Sequence, residues 1–156
     1  MQELSYRIYE NLAELNAIDR AEAMRVFESC CGSTRWAESM VDARPFNTIE
    51  HLVSEAEEAW FLLPAADQLQ AYNRGTQLSE GIAADDETVR QLQAIADLYN
   101  EKFGFGLVVN PSGRAVDEVL AIAGVRLRNS AQTELKLAAE EQSRIIQVRL
   151  AQLLER

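Results

Sequence analysis

Apolar residues recur at helical spacing along most of this chain, and polar residues fill the positions between them. Leu4, Ile8, Leu12 and Leu15 form an i, i+4 stripe. A second helix is predicted from Asp19, a good N-cap, with Met24, Phe27 and Cys31 turned inward. Residues 30–46 read CCGSTRWAESMVDARPF: two cysteines and a Gly-Ser turn lead into a short helix carrying Trp36 and Met40 on one face. Ser33 is placed to cap that helix. Pro45 stops it by disfavouring helical geometry at Arg44, which frees Phe46 to point back toward the core. Asn47-Thr48-Ile49-Glu50 resembles a capping box, and Ile49, Leu52, Val53, Ala56 and Trp60 then hold one face.

Pro64 suits the first turn of a further helix with Leu69 and Tyr72, whereas residues 73–81, NRGTQLSEG, contain two glycines and no periodic face and are predicted as a loop. Asp85 and Asp86 open the next helix, striped by Val89, Leu92, Ala96, Tyr99 and Phe103. The run FGLVV at 105–109 favours extended backbone, yet no partner strand is visible. Its N–H and C=O groups therefore need other partners, and the segment either lines a pocket or is an ordinary buried connector. Val116, Val119, Leu120, Ala123 and Leu127 mark another helix. The last begins near Ser130 and turns Leu135, Ala138, Ile145, Val148 and Leu153 inward. The expected architecture is all-α: a single-domain bundle of six to eight helices.

In the final helix Gln142 and Arg149 fall within the apolar stripe. Either the Arg149 stem packs while its head reaches water, or its guanidinium holds an anion in a pocket, where a carboxylate suits the planar fork. His51, the single histidine, lies at the flank of its helix and reads as a surface residue rather than a catalytic one. Cys30 and Cys31 are adjacent, which strains a mutual bridge, and no neighbouring base would activate either, so they read as free thiols packed in the core.

Composition narrows the choices. A chain of 156 residues, 47% hydrophobic, suits one domain, and a net charge of −10 without a basic block argues against nucleic-acid binding. The longest apolar runs are too short to span a bilayer and the N-terminus has no signal pattern, so the expectation is a cytoplasmic protein without membrane association. With one histidine and no CxxC or HxxxH, no metal site is expected.

Residues 30–46, the Trp60 helix, LYNEKFGFGLVV at 98–109 with its following glycine turn, and TELKLAAEEQSRIIQVRL at 133–150 together resemble the OHCU decarboxylase family, in order and spacing. OHCU is 2-oxo-4-hydroxy-4-carboxy-5-ureidoimidazoline. The resemblance implies an all-helical, commonly dimeric protein that decarboxylates OHCU to (S)-allantoin, the last step of urate breakdown, without a cofactor. It further implies a small ureido-carboxylate ligand held by an arginine on the last helix, here Arg149, and by an extended segment, here Leu107, Val108, Val109, Asn110 and Pro111.

The family's acid–base pair, a histidine in HPxxG and a glutamate in SxxEQ, is not present. The chain passes from Leu69-Gln70-Ala71-Tyr72 through Asn73-Arg74-Gly75-Thr76 to Gly81-Ile82-Ala83 as though a stretch were missing. His51 lies upstream on another helix and does not inherit the role. Glu80, the nearest acid to the missing glutamate, stands beside Gly81 in a different register. No residue is therefore assigned as catalytic. Three readings follow: a decarboxylase-family protein with a degenerate active site, a non-catalytic binding or assembly protein on the same fold, and a helical interaction domain with no small-molecule site.

Overall fold

The computed structural model describes residues 2–74 and 85–156. Among them eight helices follow in order: α1 (Gln2–Ala17), α2 (Arg20–Cys30), α3 (Thr34–Ala43), α4 (Ile49–Phe61), α5 (Ala65–Arg74), α6 (Asp86–Phe103), α7 (Val116–Arg126) and α8 (Ala131–Glu155), with no strand. The all-α expectation holds at the upper end of its range. Helix α8, about 37 Å long at 1.5 Å per residue, is the central strut and packs on α1, α2, α4 and α5, while α6 pairs with α7.

Most helix starts lie where side-chain chemistry puts them. Asp19, Ser33, Asp85 and Ser130 each accept the backbone N–H three residues on. The cap of α4 differs by one residue: Thr48, not Asn47, accepts from the His51 N–H at 3.0 Å, and His51 Nδ1 accepts the Asn47 N–H at 3.4 Å. The lone histidine thus ties down the residue before the cap, its ring packed against Phe46 in a T-shaped pair. Phe46 does turn inward and is buried; Asn16 holds it by accepting its N–H at 2.8 Å and donating to its carbonyl at 2.9 Å.

Two aromatic groups fill the core. Phe27 lies edge-on to both Trp36 and Phe46, and a second series runs Trp60–Tyr72–Phe105–Tyr99 with ring centroids 5.7–6.0 Å apart. Trp36 Nε1 donates to the Ala56 carbonyl and Trp60 Nε1 to that of Ala139, so each indole buries its ring without orphaning its N–H.

The sequence periodicity misplaces some faces. Leu4 and Leu135 are exposed and Val53 lies at the rim, while Asn73 and Arg74 belong to α5 rather than to a loop; the remainder of that predicted loop lies outside the described residues. On α8 the inward residue is Glu134, wholly buried, because its carboxylate is a hub. It accepts from the Tyr99 hydroxyl, Arg126 Nε and Asn129 Nδ2, and Arg126 Nη1 donates onward to the Val108 carbonyl at 2.9 Å.

That carbonyl belongs to the extended segment, which leaves α6 at Gly104, a left-handed C-cap (φ 80°), and finds side chains instead of a strand partner. Asn73 Oδ1 accepts the Gly106 N–H at 3.2 Å. Arg114 Nη1 donates to the Asn110 carbonyl at 2.8 Å and pairs with Glu141, which also receives Arg144.

Both cysteines are free and buried. Burial raises the Cys30 thiol and pushes Cys31 up to about 12, so neither is a thiolate nucleophile near neutral pH.

Two tests follow from this packing. Glu134→Ala strands the Arg126 guanidinium in the core and should lower the unfolding free energy by about 3–5 kcal/mol in urea titration; a loss below about 1 kcal/mol would show the hub to be dispensable. For the thiols, the folded state keeps a proton that the unfolded chain releases above the ordinary value of 9.0. Their contribution is therefore whole below that pH and drains as pH rises toward about 12. The melting temperature should fall from about pH 9 upward, and less steeply in Cys31→Ala; equal slopes would refute the assignment to this thiol.

Candidate functional site

Three short segments meet where α2 ends. Cys31 leaves the helix in extended geometry, Gly32 follows, and Ser33 caps α3, so the chain reverses in three residues. The last turn of α5 sits on this reversal. A Cβ on Gly32 would lie 2.8 Å from Arg74 Cβ and 3.4 Å from Ala71 Cα, and a Cβ on Gly106 would lie 2.4 Å from the Tyr72 carbonyl oxygen. The close approach of backbone to backbone on both sides of α5 requires these two glycines. Polar contacts pin the arrangement: the Thr34 N–H donates to Gln70 Oε1 at 3.2 Å, and Arg74 Nη1 donates to Thr34 Oγ1 at 3.4 Å.

Arg149 reaches this corner from α8. It is half-buried, and its Nη1 donates to the Cys30 carbonyl at 3.2 Å, the last residue of α2. A cation at a helix C-terminus satisfies an orphan carbonyl and complements the helix dipole. This explains a guanidinium within an apolar stripe: its stem packs, and one donor caps α2, the backbone carbonyl being its one acceptor among the described residues. A guanidinium carries five N–H donors, so most of the fork stays available to an anion.

Of the segment predicted to face a ligand, Leu107, Val108 and Val109 are buried, while Asn110 and Pro111 are half-buried. Its carbonyls at Val108 and Asn110 point to Arg126 and Arg114, and Arg149 makes no hydrogen bond to it. The two predicted halves of the site are bridged by α5. Tyr72 packs on Phe105 with centroids 5.8 Å apart.

Tyr72 itself, 5% exposed, is one residue that sequence reasoning assigned only to packing. Burial, and secondarily Cys31, raise its phenol well above the usual value, so it stays protonated. Arg126 and Glu134 were missed as well. Their one signal is spacing, since Glu134 stands four residues before Ala138 and seven before Glu141 on the inner face.

His51 is occupied with its own helix start and lies 3.6 Å from Glu55, consistent with the flanking role read from sequence. Glu80 and the stretch 75–81 lie outside the described residues. Among the described residues no group of three or more His, Cys, Asp or Glu side chains is placed to hold a metal.

Comparison with known proteins places this geometry. The family model for OHCU decarboxylase matches residues 16–81 and 68–151. The chain is 30% identical over 146 residues to the uric acid degradation bifunctional protein TTL of Arabidopsis thaliana, covering 80% of this chain and 45% of that protein. It is 23% identical over 159 residues to the uric acid degradation bifunctional protein of Bacillus sp. (strain TB-90), covering 91% of this chain and 32% of that protein. It thus spans less than half the length of these curated relatives.

A solved structure of OHCU decarboxylase in the presence of (S)-allantoin superposes with a TM-score of 0.76 at 28% identity, covering 83% of this chain and 97% of that one. An (S)-allantoin synthase structure shares the fold, with a TM-score of 0.74 at 19% identity over 91% of this chain and 53% of that one. With a family model spanning both sides of the α5 corner and both halves of the candidate site, the chain belongs to the OHCU decarboxylase family.

Proposed function

We propose that this protein acts in urate breakdown and binds the ureido-carboxylate OHCU and its neutral decarboxylated product (S)-allantoin at the corner formed by α2, α5, α8 and the extended segment. One observation carries the reading: a half-buried Arg149 that, among the described residues, commits one donor to the Cys30 carbonyl, at the corner where Gly32 meets the last turn of α5. The arginine takes the carboxylate of OHCU, or a carbonyl oxygen of (S)-allantoin, and Leu107, Val108 and Val109, with Asn110 and Pro111 at the rim, form the wall against the ring. The names of the relatives, which concern uric acid degradation and OHCU decarboxylation, support the same ligand chemistry. No cofactor enters the scheme.

Loss of carbon dioxide from OHCU leaves a carbanion that must be stabilised and then protonated from one face. The chain lacks the HPxxG and SxxEQ motifs that supply the family's acid–base pair, and a positioned pair of this kind contributes about 10²- to 10⁴-fold. We therefore read the active site as degenerate, with turnover slowed by roughly that factor and binding retained. The overlap of the two family-matched stretches over 68–81 supports a shortened middle at the place where those motifs would stand.

The same observation favours a second reading, a non-catalytic binding or assembly protein on this scaffold. A cytoplasmic homodimer fits either reading. Among the described residues no helix is long and apolar enough to cross a membrane, and exposed Phe61, Leu62 and Val125 supply surface for a second copy to cover.

Thermal denaturation with (S)-allantoin tests the ligand. At a hundredfold excess over its dissociation constant the stabilisation is about 2.7 kcal/mol, a rise of roughly 5–10 °C for a domain of this size. Arg149→Ala should remove most of it, and an unchanged melting temperature in the unsubstituted protein at millimolar ligand would leave a helical interaction domain. Turnover is tested separately by following OHCU decay and the optical rotation of the product: excess (S)-allantoin is expected, and racemic product at the uncatalysed rate would select the non-catalytic reading.

A further inference from the structure

The polar ends of the other large buried aromatics are all accounted for. Trp36 and Trp60 donate to backbone carbonyls and the Tyr99 hydroxyl donates to Glu134. Tyr72 is the exception. Its ring is wedged between Trp60 and Phe105, its side chain is more than nine-tenths buried, and its hydroxyl has no hydrogen-bond partner among the described residues. A buried hydroxyl without a partner forfeits its hydration, so a fold that retains one at a candidate ligand corner retains it at a cost in stability.

Position gives the orphan a purpose. The α5 turn that bears Tyr72 is held between Gly32 and Gly106, and neither glycine leaves room for a side chain that would push it away. Gly32 lies against Ala71 and Arg74 of that turn, and Arg149 donates to the carbonyl of Cys30 two residues before Gly32, so α5 and α8 approach one corner. The thiols there are buried and un-ionised and supply no charge of their own to satisfy either group. We propose that the Tyr72 hydroxyl is a second anchoring group of the site, donating a hydrogen bond to a ureido or ring carbonyl oxygen of a ligand whose other end Arg149 holds, by the carboxylate in OHCU and by a carbonyl oxygen in (S)-allantoin. This rests on the ligand reading above and adds to it the residue that orients the ligand's uncharged end.

The chemistry fits the pair of groups. A guanidinium fork grips a carboxylate with two parallel bonds but leaves the rest of a flexible ureido acid free to swing. A neutral donor fixed in an aromatic stack sets the second point, and a site built around a buried donor discriminates against analogues that lack the acceptor. Tyr72 is accordingly a binding and specificity residue, not a replacement for the absent acid–base pair.

Tyr72→Phe tests this with little change of volume. Removing the orphan hydroxyl should raise the melting temperature of the ligand-free protein by a few degrees while weakening (S)-allantoin about tenfold, measured by calorimetric titration. Arg149→Ala, measured alongside, should weaken (S)-allantoin without the rise in ligand-free stability. Unchanged affinity in Tyr72→Phe, with (S)-allantoin still lost in Arg149→Ala, would overturn the role of Tyr72 and leave the ligand reading intact. A lower ligand-free melting temperature with unchanged affinity would overturn it too, by assigning the hydroxyl to a structural water. No binding of (S)-allantoin to the unsubstituted protein would overturn both.

Discussion

An extended stretch of chain inside an all-helical protein creates a problem that the rest of this structure is arranged to solve. Helices satisfy their own backbone, whereas residues 105–111 run with no strand beside them and half their side chains in the core. Side chains take over the task. Arg126 occupies the Val108 carbonyl, Arg114 that of Asn110, and Asn73 the Gly106 N–H. Because a buried guanidinium must itself be neutralised, the solution pulls Glu134 into the core and adds Tyr99 and Asn129 around it, which fixes α6, α7 and α8 relative to one another.

The same logic shapes the other side of the segment. Two glycines let neighbouring segments approach the last turn of α5 closely, and Arg149 closes the corner by capping α2. A scaffold can keep such a corner while losing catalytic side chains elsewhere, because the corner is held by packing and backbone contacts that do not involve those side chains. The shared fold, evident in the superposition on OHCU decarboxylase, is thus compatible with either a slow enzyme or a binding protein.

The contrast between His51 and Arg149 shows how context decides a side chain's role. Both were conspicuous in sequence as potential functional groups. His51 spends its Nδ1 on the N–H of Asn47 and packs its ring against Phe46, so local structure consumes it. Arg149 spends one donor on a helix end and keeps the others.

Much of the fold was legible in order of residues. Helical periodicity located the helices, the caps at Asp19, Ser33 and Asp85 followed from side-chain chemistry, and the turn at Pro45 with Phe46 inward followed from the restriction on the residue before proline. These are local effects, carried by neighbours within one or two turns. Family motifs likewise pointed to Arg149 and the segment at 107–111 as residues of interest. The burial of Glu134 in place of Leu135, the pairing of Arg126 with a carbonyl eighteen residues away and the orphan hydroxyl of Tyr72 were not legible. The sequence by itself determined where helices form and stop, because those choices are settled by neighbouring residues. Only the tertiary structure decided which polar groups are buried and which of them find partners, because a charge or hydroxyl enters a core only when distant segments meet there to satisfy it.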